Sequence, residues 1–337
     1  MTKIIIDCLG GDNSPKAHIT ASIKALNTYD DLSIILVGDE KEIRDELKDK
    51  SYDKKRLEIV HAPDVITGDD KPTDAVRMKK DSSMMTSIKL LRTDDSIDAL
   101  ISTGATGALV AAATVRIPRL RHVIRPAFCP LLPTMDGHIV GICDTGASVD
   151  INAEYLKQYA IMSSIYMENV YNVKTPRIAL LNIGTEEHKG DDLRQQAYPL
   201  LKNTKSINFV GNMESRDLLS GKYDVVVADG FSGNVLVKTT EGTALELLKK
   251  LKKDIKSKLI NKIGALFLYK TLMEEKEFMN YQNYGGSVLL GTSKVIIKGH
   301  GSSDETALYA CIKQAYKMQT SNMNQKIEET LEKEGEE

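Results

Sequence analysis

Three side chains in this 337-residue chain are placed for chemistry: Lys189, Asn234 and His300. His300 lies in Lys298-Gly-His-Gly-Ser-Ser303, where an imidazole can act as acid, base or anion ligand near neutral pH. Lys189, in Gly184-Thr-Glu-Glu-His-Lys-Gly190, supplies a cation. Asn234 closes Asp229-Gly230-Phe-Ser232-Gly233-Asn234, a Gly/Ser/Asn stretch after a strand, where unpaired N–H groups can face an anion. A fourth group, Arg77-Met-Lys79-Lys80-Asp-Ser82-Ser83, sets cations beside a helix start, the makings of a phosphate cradle. Each has an ordinary alternative: an exposed lysine, a structural histidine, or a solvated basic turn before a capping serine.

The elements that must position these groups repeat one pattern, a short apolar run emptying into a glycine-bearing loop. Ile4-Ile-Ile-Asp7 leads into Leu9-Gly10-Gly11-Asp12, and Asp98-Ala-Leu-Ile101 into Ser102-Thr-Gly-Ala-Thr106-Gly107. Arg177 to Leu181, Val225 to Val227 and Val295 to Lys298 do the same. Strands of this kind form a parallel sheet whose loops gather at the carboxyl edge, so one crevice lined by polar loops is expected. Ser232-Gly233-Asn234 reads as a turn admitting positive φ, followed by helix from Thr239 to Leu251. Ser14-Pro15 starts a helix, Ser82 caps one after a break at 79–83, and Ser302 with Glu305 fits a capping box. A long helix is expected over Asn152 to Val170.

Bulk properties narrow the function. Hydrophobic residues make up 42%, charged residues 27% and the net charge is −2, which describes an ordinary globular protein and no nucleic-acid binder. Cys8, Cys129, Cys143 and Cys311 lack CxxC spacing and read as reduced core thiols. The chain opens directly on a strand and has no apolar run near the ~20 residues of a spanning helix, so a cytoplasmic location is expected. Asp7, Asp12, Asp144, Asp150 and Asp229 sit near strand ends, but Asx turns and caps explain them without a metal. Neither a P-loop, nor G-x-S-x-G, nor a dinucleotide fingerprint is present, and no cofactor is expected.

Ile255 to Met273 departs from the pattern. Ile255, Leu259, Ile260, Ile263, Leu266 and Phe267 fall on one helical face among Lys256, Lys258, Lys262 and Lys270. Such a segment packs in a core, faces a second subunit, or lies in a membrane interface. Residues 1–320 read as one α/β catalytic domain, and 321–337 as a polar tail, a solvated and frayed helix.

Taken in order, these blocks resemble the PlsX-type phosphate acyltransferases of bacterial phospholipid synthesis. The likeness runs over about residues 3–318 and rests on Asp7…Gly10-Gly11-Asp12…Pro15, Arg77…Lys79-Lys80-Asp81-Ser82-Ser83, Thr106-Gly107-Ala108, Arg125-Pro126, Leu132-Pro133-Thr134, Asn182-Ile183-Gly184…Lys189-Gly190, Asp229-Gly230-Phe231…Gly233-Asn234 and His300-Gly301-Ser302-Ser303-Asp304. Ala105 and Ser148 stand where the family usually has Asn, and Leu9 where Met is common. The resemblance implies an isopropylmalate-dehydrogenase-like three-layer α/β/α fold with a mostly parallel sheet and a central crevice, and a homodimer. It implies transfer of a long-chain acyl group from acyl carrier protein to inorganic phosphate. The acyl-phosphate would pass to a membrane glycerol-3-phosphate acyltransferase, with an apolar tip (Ile263, Leu266, Phe267) touching the membrane surface.

On that reading Lys189, Asn234 and His300 are catalytic. Asp7, Gly10, Gly11, Arg77, Lys79, Ser82, Thr106, Gly107, Asp229, Gly230, Ser232 and Gly233 shape the phosphate and thioester site. Phosphate is already a nucleophilic anion, so positioning matters more than proton abstraction. A phosphotransacetylase-like enzyme using acyl-CoA is the rival enzyme, and a carrier-binding scaffold without turnover the non-enzymatic one.

Overall fold

The computed structural model describes residues 1–278 and 284–336. Its first sheet has seven strands in the order β3 (Leu57–His61), β2 (Leu32–Gly38), β1 (Thr2–Asp7), β4 (Ala99–Ser102), β12 (Val295–Lys298), β11 (Ser287–Leu290) and β5 (Ala127–Cys129). All neighbours pair in parallel up to β12; β11 and β5 then run antiparallel to theirs. The second sheet is β6 (Leu131–Pro133), β7 (Ile139–Cys143), β10 (Val225–Val227), β8 (Arg177–Asn182) and β9 (Asn208–Glu214), parallel except at β6.

Strand alternation distributes the core to two faces. Ile4, Ile6, Ile34, Leu36, Ile101 and Ile297 face one layer of helices, formed by α1 (Lys16–Leu26), α11 (Glu305–Thr320) and α6 (Ala153–Tyr171). Ile5, Ile35, Leu100 and Ile296 face the other, where α4 (Ser83–Thr93) and α5 (Thr106–Arg116) lie. Val140, Ala179 and Val226 of the second sheet meet Leu236 and Val237 of α8 (Gly230–Ser257). The result is a three-layer α/β fold with both sheets buried on two sides, which is why the strands read as continuous apolar runs. α6 is buried on nearly every face because its layer serves both sheets, and Tyr159 and Tyr166 are fully buried on it.

Several sequence expectations match the structure. α3 (Pro72–Met78) and α4 are separated at the basic turn, Ser82 caps α4, and the helix expected over 152–170 is α6, with Asn152 as its cap. Other expectations are corrected. The stretch Gly230–Asn234 is the first turn of α8, not a loop, and neither Gly230 nor Gly233 has positive φ. Their lack of a side chain serves packing: a Cβ on Gly233 would sit 1.9 Å from the Asp144 carbonyl oxygen. Asp304, not Ser302, caps α11 by accepting from the Thr306 and Ala307 N–H groups. The tail is helical as expected, α12 (Met323–Glu336), but it is not merely solvated, since it buries Met323, Ile327 and Leu331 in the core.

The 255–273 segment breaks at Lys258, where the backbone is extended, into the end of α8 and α9 (Leu259–Phe267); α10 (Tyr269–Phe278) follows. α9 buries no residue, and Leu266 and Phe267 are 74% and 86% exposed, so the core-helix alternative does not hold. No helix among the described residues is long and apolar enough to cross a membrane.

Candidate functional site between the two sheets

The parallel register sets the rim of the site. Asp7, Ser102 and Lys298 occupy one row across β1, β4 and β12, at the carboxyl ends of these strands. Asp7 is buried, and burial raises its carboxyl above the usual range although Ser102 Oγ donates to it at 2.7 Å. It thereby ties β1 to β4. The loops beyond are crowded: a Cβ on Gly10, at φ +87°, would lie 2.8 Å from Gly104 Cα, and one on Gly11 would lie 2.5 Å from Thr103 Oγ1. These two glycines shape the loop wall and do not face the cavity.

A cavity of about 350 Å³ opens between the two sheets. From the first sheet it is lined by Lys298, Gly299, His300 and Ser303, with Thr106 at the start of α5. From the second side come Thr145, Gly146, Asn234 and Lys238, while Phe128, Leu131 and Val237 supply apolar walls. Asn234, Val237, Lys238 and Glu241 are spaced i, i+3, i+4, i+7, so a single face of α8 presents all four. The Asn234 side chain lies 3.9 Å from the Cβ direction of Gly146, whose φ of +115° turns the loop beneath it.

The electrostatics of the two walls differ. Lys238 pairs with Glu241 at 2.7 Å. Lys298 donates to the carbonyl oxygens of Thr103, at 3.2 Å, and Gly299, and no carboxylate among the described residues lies within ion-pair distance of it. Burial lowers its ammonium to about 8. His300 is also lowered, by burial and then by the charge of Lys238. The Ser302 N–H donates to His300 Nδ1 at 3.3 Å, and a backbone N–H can only donate. The neutral ring therefore carries its proton on Nε2. At α5, Ala105 occupies the N-cap position without a side-chain bond, so the N–H groups of the first turn lack a side-chain cap beside Thr106.

Thr106, Asn234 and His300 are thus the sequence candidates that one cavity collects. Others are engaged elsewhere. Lys79 Nζ bonds Asp70 at 2.6 Å and the Val65 carbonyl at 3.2 Å. Ser82 is buried as the cap of α4, and Arg77 lies exposed on the last turn of α3. Gly107 lets Pro72 approach to within 2.8 Å of where its Cβ would be, which seats α3 on α5. Lys189 does not line the cavity; its stem packs over Gly184 and its carbonyl accepts from Asn182. At the start of α8, Asp229 caps the helix by accepting from Ser232 N–H, and Arg194 bonds both Asp229 and the Ser232 hydroxyl. Gly230 donates to Ser148 and packs on Asp144. The helix end expected to receive an anion already holds its own carboxylate.

Sequence reasoning missed Lys298, Lys238 and Arg194. For Lys298 a signal existed, a cation terminating the strand that runs into His300. For Lys238 it was the one-face spacing with Asn234, hidden because 230–234 reads as a turn. Arg194 has none: its partner Asp229 is 35 residues away in sequence.

The structure is thus a three-layer α/β protein whose cavity at the strand ends sets a side-chain amide on one wall and an imidazole and an ammonium on the other. Among solved structures the fold is similar to a EutD phosphotransacetylase from Staphylococcus aureus, with TM-score 0.59, 14% identity and 94% of each chain covered. It is also similar to a branched-chain phosphotransacylase from Enterococcus faecalis V583, with TM-score 0.55, 13% identity and coverage of 95% of this chain and 100% of that one. A family model described as "Fatty acid synthesis protein" matches residues 2–326. A "Phosphate acyltransferase" of Shouchella clausii (strain KSM-K16) is 44% identical over 99% of this chain and 100% of its own length. That of Bacillus thuringiensis (strain Al Hakam) is 44% identical over 98% and 99%. The chain belongs to the PlsX family of phosphate acyltransferases.

Proposed function

We propose that this protein transfers a long-chain fatty acyl group from acyl carrier protein to inorganic phosphate, giving acyl-phosphate for phosphatidic acid synthesis. The observation that carries the reading is the convergence of Asn234, Lys238, Lys298 and His300 on one cavity. Phosphate sits among the Lys298 ammonium, the His300 Nε2–H and the first turn of α5 at Thr106. The Asn234 amide then donates to the thioester oxygen as the tetrahedral oxyanion forms. Asp7, Gly10, Gly11, Asp229, Gly230 and Gly233 act by holding the loops in place. Lys189 and Arg77 have no place in this cavity and are not given a catalytic role.

The test is phosphate-dependent thiol release from palmitoyl-acyl carrier protein, with the acyl-phosphate trapped by hydroxylamine. Release that requires phosphate and yields palmitoyl hydroxamate supports the reading. Equal turnover with acetyl-CoA would move the protein to the short-chain, phosphotransacetylase-like alternative. Binding of the carrier without release would leave a scaffold.

The exposed apolar residues of α9 support contact with the membrane surface, where a glycerol-3-phosphate acyltransferase would receive the product. Leu245, Leu247 and Leu251 on the outer half of α8 are exposed as well and support a homodimer. In co-sedimentation with anionic liposomes, a Leu266→Glu, Phe267→Glu variant is expected to remain in the supernatant while releasing thiol at the wild-type rate. Unchanged sedimentation would assign this face to the partner subunit.

A further inference from the structure

The transfer leaves a thiolate, and the cavity must supply it with a proton or hold its charge. We infer that Lys298 is the group that protonates the departing sulfur; the inference rests on the acyl-transfer reading above.

His300 is not suited to the task. Its Nδ1 accepts from the Ser302 N–H, so the ring is neutral, and a neutral imidazole does not release its remaining N–H proton near neutral pH. Lys238 is tied to Glu241 and extends from the exposed face of α8. Lys298 differs from both. Two of its three N–H bonds are fixed by the Thr103 and Gly299 carbonyls, which clamp Nζ against the cavity wall and leave one proton for a ligand. Neither acceptor is charged, so its cation is uncompensated at hydrogen-bond range. The charged and titratable groups facing it are Asp7 from β1, Cys311 from α11, Lys238 from α8 and the neutral His300 two residues on. Asp7 is itself bonded to Ser102, and burial pushes the Cys311 thiol up to about 12, so Cys311 stays protonated.

The step balances with hydrogen phosphate as nucleophile. A phosphate oxygen forms the C–O bond, the C–S bond breaks, and its electron pair remains on sulfur. Lys298 Nζ passes a proton to that sulfur, and the proton shed by hydrogen phosphate on becoming acyl-phosphate restores the ammonium. An ammonium near 8 is matched to both transfers, since it lies close to the range of a free thiol.

The experiment compares two palmitoyl esters at saturating phosphate: the carrier-protein thioester, whose alkyl thiolate needs a proton, and an aryl thioester, whose thiolate does not. Lys298→Met is expected to lower kcat on the carrier thioester by ~100-fold and on the aryl thioester by less than ~10-fold. Lys298→Arg keeps the charge but holds its proton, so it should restore phosphate KM without restoring kcat on the carrier thioester. Wild-type kcat on that substrate should fall above about pH 8 as Lys298 deprotonates, and Lys298→Arg should lack this limb. The ratio of rates on the two esters does not depend on the folded fraction of a variant. Equal losses on both, or full rescue by arginine, would overturn the assignment. Absence of phosphate-dependent release in the wild type would instead defeat the acyl-transfer reading itself.

Discussion

The two walls of the cleft are built on opposite electrostatic plans. On the α8 wall the charges are already paired: Asp229 with Arg194, and Lys238 with Glu241. Its reactive contribution is a neutral amide, Asn234. On the β12 wall, Lys298 is held, among the described residues, by the carbonyl oxygens of Thr103 and Gly299, and His300 is a neutral donor. The lesson is that the number of nearby cations says little; what matters is which of them has no carboxylate to neutralise it. The basic cluster at 77–83 makes the same point, since Lys79 is spent on Asp70.

This comparison can be broken most sharply at Asn234. Asn234→Ala removes the oxyanion donor of the paired wall and should lower kcat by about 10²–10³-fold, with phosphate KM changed little. Thiol-release kinetics would show it; a loss confined to KM would make Asn234 a binding group only.

The next effect concerns the support behind Lys298. His18 is buried, its Nε2 lies 2.9 Å from Thr103 Oγ1, and burial lowers it from 6.5 to about 4. Because the folded value lies below the unfolded one, the unfolded chain binds the proton first as pH falls. His18 therefore leaves stability intact above pH 6.5 and withdraws about 3 kcal/mol between 6.5 and 4. Urea denaturation of wild type against His18→Asn should show that the variant loses less stability over this window. Parallel curves would show that His18 does not carry the effect.

The smallest change is expected at Lys79. Its bond to Asp70 is partly exposed and solvent-screened, so Lys79→Met should cost less than about 1 kcal/mol and leave kcat within twofold. A large rise in phosphate KM would restore the cradle at 77–83 and reverse the contrast drawn between the two cation clusters.

Much of the architecture was legible because local rules and tertiary packing agree. Continuous runs such as Ile4–Ile6 and Val225–Val227 are strands because both sheet faces are covered. Ser82 and Asn152 cap the helices that follow them. Where the reading failed, a long-range contact had decided between local alternatives. Local spacing makes Gly233 a turn residue, yet it is glycine because the Asp144 carbonyl approaches from 89 positions earlier in sequence. Ser302 fits a cap by spacing, but its hydroxyl lies 2.8 Å from His300 Nδ1, and Asp304 takes the helix end. Met323, Ile327 and Leu331 are three apolar residues in a charged tail, and only α6 beneath them makes their spacing a buried stripe.

The sequence by itself determined the order of strands and helices, the Ser82 cap, the family, and the candidacy of Asn234 and His300. Each of these is written in neighbouring residues or in short blocks kept in order. Tertiary structure alone decided which charges are neutralised and which remain available to a ligand. Lys298 reaches Thr103 across 195 positions and Arg194 reaches Asp229 across 35, and chain folding, not spacing, brings such partners within bonding distance.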